Sequence, residues 1–253
     1  MKVEFNADPL VSESKSTMPV YDTKANIIYV IDNMRFVICR NIDREQGKMT
    51  EIMIDFVAHG KAGYEPKTTQ LVKDLVKEGD VCVDVGASIG YFSVLFGKLV
   101  GEKGKVYAIE PVKQQHPYFL DNISINGLQN IVNLYSCAAW DKEEIKEMFS
   151  AALLKETNTE VQCVSLDFLL ADVPKVDFIK IDVDGSEIQV LKGMEKTIEK
   201  NPNLKMIIEY YPKYLQDAGN NPQELLDILN KNFTLEKVGD LDENYWNYLC
   251  IKK

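Results

Sequence analysis

Asp182 and Lys180 stand two residues apart in Val176-Asp-Phe-Ile-Lys-Ile-Asp182, an otherwise apolar run. In a strand, residues two apart share a face. A lysine in an apolar strand is costly unless paired, and Asp182 is the obvious partner. A carboxylate at a strand end can take the proton of a reacting hydroxyl, a role typically worth about 10² to 10⁴ in rate. The other reading of the two is a structural pair that orients loops. Asp184 and Glu187 follow closely, and Glu187 opens an expected helix, where a carboxylate also suits the positive end of the dipole. Glu209 ends a second apolar run, Leu204 to Glu209. Asp182, Lys180 and Glu209 are the catalytic candidates. Strand-end carboxylates can bind magnesium, but no defined ligand spacing is present and no metal is expected. Of the two histidines, His116 beside Pro117 reads as a surface or helix-capping residue before an adenine contact or a base. His59 could reach the mouth of a site.

The strongest local signal is Val83-Asp-Val-Gly-Ala-Ser-Ile-Gly-Tyr-Phe92. It follows a strand pattern and opens a helix pattern. Gly86 and Gly90 let the chain turn tightly and approach a ligand. Glu110 ends the next strand pattern, where an acid accepts hydrogen bonds from ribose hydroxyls. A dinucleotide fingerprint would have glycine at 88 and near 91, but Ser88 and Tyr91 stand there. A P-loop is excluded, since no Lys-Ser/Thr closes the loop. Asp84 puts negative charge where phosphates would lie, and would attract a sulfonium or an ammonium. The spacing favours a cofactor with adenosine and a cationic tail.

These residues need a scaffold that brings separate strand ends together. Strand patterns at Val81–Val85, Lys105–Ile109, Val132–Ala138, Val176–Ile181 and Leu204–Glu209 alternate with helix patterns. The helices are expected at 67–77, 90–100, 117–125, 187–199 and 222–231. Such alternation implies an α/β fold, a mostly parallel doubly wound sheet with helices on both faces. Ligands then lie beyond the carboxyl ends of the strands, where strand order reverses. Residues 141–166 interrupt the alternation and read as a hairpin, polar at its 155–159 tip. Phe233–Lys237 and Tyr245–Ile251 read as a closing antiparallel pair. Ahead of all this, Asn26 to Cys39 reads as a β-hairpin turning at Asp32-Asn33. Glu51–Val57 adds a strand or short helix. The expected division is residues 1–60 as an arm and β-rich appendage on the substrate side, and 61–253 as the cofactor-binding domain.

Composition narrows the classes. The 253 residues are 45% hydrophobic, enough for a substantial core, and carry a formal net charge of −10. No broad basic footprint for nucleic acid exists. Five cysteines, odd in number and widely spaced, signal neither a zinc site nor a redox pair. They read as reduced core residues of a cytoplasmic protein. No stretch approaches a membrane span.

The ordered set of motifs resembles the FkbM-type methyltransferases, a family of S-adenosylmethionine-dependent enzymes. The likeness runs from about Tyr64 to Tyr211. Its pieces are Tyr64-Glu65-Pro66, the loop Asp84 to Phe92, Ala108-Ile-Glu110-Pro111, Ser165-Leu-Asp167, Phe178 to Glu187, and Val190-Leu-Lys-Gly193. The resemblance implies a seven-stranded sheet of order 3-2-1-4-5-7-6 with the last strand antiparallel, and S-adenosyl-L-methionine as cofactor. By the same resemblance, Gly86, Ala87, Ser88, Gly90 and Tyr91 line the methionine part. Glu110 and Pro111 meet the ribose, and Ala138 and Ala139 lie near the adenine, with Glu65 and Asp84 completing the cofactor site. Ser88 stands where the family often has Asn, and Asp184 where it often has Glu. The expected reaction is O-methylation of a small-molecule or sugar hydroxyl. The alternatives are a cofactor-binding scaffold without turnover and a nicotinamide-dependent dehydrogenase. The expected partners are a small-molecule or glycan acceptor, with neither nucleic acid nor membrane. The appendage would wall the acceptor site or form a homodimer contact.

Overall fold

Asn33 takes φ 65°, the left-handed conformation that asparagine tolerates in a tight hairpin turn. It joins β2 (Asn26–Ile31) to β3 (Met34–Arg40), and β1 (Val20–Asp22) pairs with β2 to complete a three-stranded antiparallel sheet. The structure, a computed structural model, describes residues 20–22, 26–31, 33–40, 64–148, 159–239 and 245–253. The element expected at Glu51–Val57 and the 155–158 part of the hairpin tip lie outside the described residues.

The alternation read from the sequence follows. Helix α1 (Pro66–Leu75) leads to β4 (Val81–Val85), α2 (Tyr91–Val100), β5 (Lys105–Ile109), α3 (His116–Ile125) and β6 (Val132–Tyr135). A second small sheet contains β7 (Ala138–Trp140), β8 (Glu144–Met148) and β9 (Thr159–Ser165). Then come α4 (Leu166–Leu169), β10 (Phe178–Ile181), α5 (Glu187–Lys192), α6 (Glu195–Lys200), β11 (Lys205–Tyr210), α7 (Pro212–Asp217), α8 (Pro222–Asn232), β12 (Phe233–Val238) and β13 (Trp246–Lys252).

Seven strands form the main sheet in the order β12-β13-β11-β10-β4-β5-β6. Numbered within that sheet, this is 3-2-1-4-5-7-6 read from the other edge. Neighbours from β11 to β6 run parallel, while β13 is antiparallel to both β11 and β12. Central strands covered on both faces must be apolar throughout, and this one-sided exception matters: Cys82, Val83 and Val85 are buried, and so is Asp84.

The two faces carry separate cores. Cys82, Phe178, Ile207 and Leu249 pack with Phe92 and Phe96 of α2. Val83, Val85, Ile179 and Ile208 pack with Ile188, Leu191, Leu225 and Leu229 of α5 and α8. The front hairpin docks on the first of these faces. Phe36, fully buried, stacks on Tyr91 at 5.3 Å, and burial of one such ring is worth about 1.5–3 kcal/mol. The Val37 amide donates to Asn122 Oδ1 at 2.6 Å, and Asn122 Nδ2 donates to the Ile89 carbonyl at 2.8 Å. One α3 side chain thus ties the hairpin to the loop before α2.

Three local expectations change. The third parallel strand stops at Tyr135, and Ala138 pairs instead with Cys163 in the small sheet. The helix expected over 187–199 is two helices, α5 and α6. At the break Gly193 lies so close to the Trp140 carbonyl that a Cβ would sit 1.8 Å from its oxygen, and its own carbonyl accepts from the Asp167 amide. Asp167 then accepts from the Lys196 and Thr197 amides and restarts the helix. Short α7 was not anticipated: Pro212 at its first turn has no amide to leave unpaired. Among the described residues no helix is long and apolar enough to cross a membrane.

Candidate active site

Sheet register brings the acids together. In β10 and β4, Lys180 lies opposite Asp84 and Ile181 opposite Val85. In β10 and β11, Ile181 lies opposite Ile208. Asp182 and Glu209 are therefore each one residue past a matched pair, level with one another at the carboxyl edge. Glu209 pairs in turn with Asn247 of β13. Because side chains alternate along a strand, Asp84, Lys180, Asp182, Glu209 and Asn247 all belong to the face that α2 covers.

Lys180 is buried at 3% exposure. Its Nζ lies 2.7 Å from Asp182 Oδ2, 3.5 Å from Glu65 Oε1 and 4.4 Å from the centroid of the Phe92 ring. Burial opposes the ammonium charge, but Asp182, Glu65 and Asp84 outweigh it and raise the lysine pKa. Glu65, the residue before α1, has φ 41°. Its Oε2 accepts from Asn247 Nδ2 at 2.9 Å, and the same amide reaches Thr68 Oγ1 at 3.0 Å. Burial raises the Glu65 pKa, with Lys180 pulling it back. Glu65, expected at the cofactor, is the second carboxylate of the lysine.

The glycine-spaced loop wraps the same strand ends. Gly86 has φ 82°, and a Cβ there would fall 1.8 Å from the Asp182 carbonyl oxygen. The loop and the end of β10 are in backbone contact, so the glycine-spaced loop and Asp182 are immediate neighbours. Asp84 is buried and accepts from Ser93 Oγ at 2.6 Å. Burial, opposed by Ser93 and Lys180, lifts its pKa to about 6. Ser88 takes φ 49°, and its amide donates to Glu110 Oε2 at 2.8 Å. The Val112 amide donates to Oε1 at 2.7 Å. Burial raises Glu110 to about 7 against those two bonds.

At the other side of Asp182 the acids crowd. Asp182, Asp184 and Glu209 each place an oxygen within 4.8 Å of the others. Asp184 has φ 51°. Glu187 is buried; its Oε1 accepts from the Val183 and Gly185 amides at 3.3 and 3.2 Å. Burial, and secondarily Asp182, raises Glu187 to about 7 despite those bonds. Burial with Asp182 and Glu187 raises Glu209 well above the usual carboxylate range.

The remaining sequence candidates are distributed as follows. Gly90 precedes α2, and Ala87 is buried below the loop. Tyr91 turns into the core among Phe36, Tyr64 and Phe92, with its hydroxyl 3.2 Å from Thr69 Oγ1; its ring is a packing residue. Pro111 follows Glu110 directly. Ala138 and Ala139 are buried in β7, just beyond Tyr135, whose carbonyl accepts from the Glu110 amide. The edge between Glu110 and β7 is therefore continuous. His116 opens α3 and its Nε2 lies 2.9 Å from the Glu110 carbonyl, so it steadies the backbone of that acid. Sequence reasoning missed Asn247, whose one signal is a lone amide in the apolar run Trp246 to Ile251, and Ser93, an interior polar residue of α2.

The chemistry of this edge suits S-adenosylmethionine. Each Glu110 oxygen has one backbone donor and keeps a lone pair for a ribose hydroxyl. The methionine end, with its sulfonium and ammonium, would meet Asp84 and Asp182 across a loop whose glycines allow close approach.

A family model described as the methyltransferase FkbM domain matches residues 84–239, more than half of the chain. The hexuronic acid methyltransferase AglP of Haloferax volcanii is 26% identical over 179 residues, covering 66% of this chain and 68% of that protein. A protein-L-isoaspartate O-methyltransferase of Aeropyrum pernix is 30% identical over 80 residues, 31% of each chain. In fold, a structure assigned as an O-methyltransferase of Klebsiella pneumoniae superposes with TM-score 0.52 over 84% of this chain and 94% of that one, at 10% identity.

Proposed function

The chain belongs to the methyltransferase FkbM family of S-adenosylmethionine-dependent enzymes, and from that premise we propose that its acceptor is a hydroxyl of a small, sugar-like molecule. The observation that carries the reading is the backbone contact between Gly86 and Asp182, which sets a carboxylate beside the cofactor loop. When bound, S-adenosylmethionine supplies an electrophilic methyl carbon on sulfur, and its departing thioether is neutral and needs no acid.

The protein has two tasks left, alignment and proton removal. Glu110 accepts the ribose hydroxyls and the 86–90 loop holds the methionine end. Asp182 receives the acceptor proton on its carboxylate. Lys180, 2.7 Å away, fixes that carboxylate toward the crevice. Alignment can supply on the order of 7–11 kcal/mol of barrier reduction, and a base about 10² to 10⁴ in rate.

Two observations support a sugar. The relative AglP is named for hexuronic acid. Beyond β11, Tyr211 lies with ring centroids 4.2 Å from Tyr214 and 5.0 Å from Tyr245. These half-buried rings form an aromatic shelf two residues from Glu209, suited to the apolar face of a pyranose. Within the expected appendage, the described strands β1–β3 are assigned to the wall of the crevice. Asn122 supports that by joining β3 to the cofactor loop.

Calorimetric titration with S-adenosylhomocysteine, followed by turnover on uronates and other sugars, tests the reading. Glu110→Ala should weaken cofactor binding. Asp182→Asn, measured at saturating cofactor, should lose about 10² to 10⁴ in single-turnover rate. Phe36→Ala, which removes the ring stacked on Tyr91 beside Gly90, should lower stability and weaken cofactor binding. Full rate in Asp182→Asn removes the base assignment. Cofactor binding with no turnover on any hydroxyl acceptor removes the acceptor assignment and favours a scaffold.

A further inference from the structure

We propose that Asp182, Asp184 and Glu209 bind a divalent, oxygen-seeking cation, magnesium or manganese, at the mouth of the crevice. One oxygen of each residue lies within 4.8 Å of the other two. Hard divalent cations hold oxygens at about 2.0–2.6 Å, so ligands on opposite sides stand about 4–5 Å apart. The three donors lie close enough for one ion to draw them into its coordination sphere.

Glu187 is the independent observation. It is 2% exposed, and its Oε1 is fixed by the Val183 and Gly185 amides. Its Oε2 is buried without a hydrogen-bond partner. Glu187 feels the charge of Asp182, and Glu209 feels that of Glu187. A buried carboxylate oxygen left unsatisfied is costly, and a cation, or a water held by one, would satisfy it.

Charge points the same way. Asp182, Glu187 and Glu209 gather here, and Lys180 is already divided between Asp182 and Glu65. The ammonium takes Oδ2 of Asp182, which leaves that residue a second oxygen with two lone-pair sites, one for the ion and one for the acceptor proton. A divalent ion would offset most of the excess. It would also let an acceptor bearing a carboxylate or adjacent hydroxyls approach acids that otherwise repel it. That role rests on the methyl-transfer reading, whereas the cation site does not.

The test is titration of the full chain with Mn²⁺, followed by the loss of the free-ion paramagnetic resonance signal, with Mg²⁺ as competitor. One saturable site is expected, weakened about tenfold or more in Glu209→Gln and in Asp184→Asn. Absence of a saturable site in the unaltered protein overturns the proposal, as does unchanged affinity in both variants. S-adenosylhomocysteine binding, measured separately, shows both variants folded and keeps the two readings distinct. Cofactor binding without Mn²⁺ binding removes the cation and leaves methyl transfer standing.

Discussion

At the residue scale, Lys180 holds two carboxylates that come from distant parts of the chain. A buried charge deprived of its partner is far more costly than a buried neutral group. Lys180→Met leaves Asp182 and Glu65 facing each other without the ammonium. Loss of stability of about 3–5 kcal/mol is expected from urea unfolding. Glu65→Gln should cost clearly less, because Lys180 keeps Asp182 at 2.7 Å and the new amide keeps Thr68 and Asn247 beside it. Equal losses in the two variants would mean that the pair has no special weight. The Lys180–Asp182 pairing was legible in the sequence, because two residues in one strand must share a face. Its second half was not. Glu65 and Asn247 are 182 positions apart, and no local pattern announces a contact between them.

At the element scale, the loop from β4 to α2 shows what a glycine does in two settings. Gly86 has a left-handed φ and the Asp182 carbonyl where its Cβ would be. Gly127, after α3, has φ 72° and open space around it. Gly127→Ala should cost only the conformational penalty, about 1–2 kcal/mol. Gly86→Ala should cost more than about 3 kcal/mol, because backbone must move, and should weaken S-adenosylhomocysteine binding. Thermal unfolding and calorimetry of both variants decide this. Similar stability losses would show that the loop yields easily. The long elements were read correctly, since apolar periodicity reports burial on one face or two. The breaks were not. The end of β6 and the split between α5 and α6 are decided by neighbours, Cys163 and the Trp140 carbonyl, that are remote in the chain.

At the scale of the whole molecule, acid dominates: the net charge is −10. Several of those acids are buried. Asp84 is raised to about 6, and Glu110 and Glu187 to about 7, chiefly by burial. Their ordinary values are 3.8 and 4.5. Between those values and the raised ones the folded protein binds more protons than the unfolded chain. Stability therefore falls as pH rises through this window. Each group contributes at most about 1.4 kcal/mol per pH unit. The free protein, in chelator-treated buffer, should resist urea better near pH 5 than near pH 7.5. The opposite order would show that these carboxylates are solvated in solution. Lys180 does not blur the test, since the stability from its raised pKa is lost only above its ordinary 10.5.

The sequence by itself determined the class of fold and the glycine-spaced turn from β4 into α2. Alternating strand and helix patterns leave few ways to bury so much apolar surface, and the glycine spacing with Glu110 is local. It also placed Asp182 and Glu209 at strand ends, because each follows an apolar run that has to be buried. Only the tertiary structure decided which strand ends meet. The register of β10 against β4 and β11 sets Asp182 beside both Gly86 and Glu209. The return of β13 brings Asn247 to Glu65, and the turn after β10 sets Glu187 against the acids. These contacts depend on strand order and register. Both are settled by packing across the whole sheet, which no short window of residues contains.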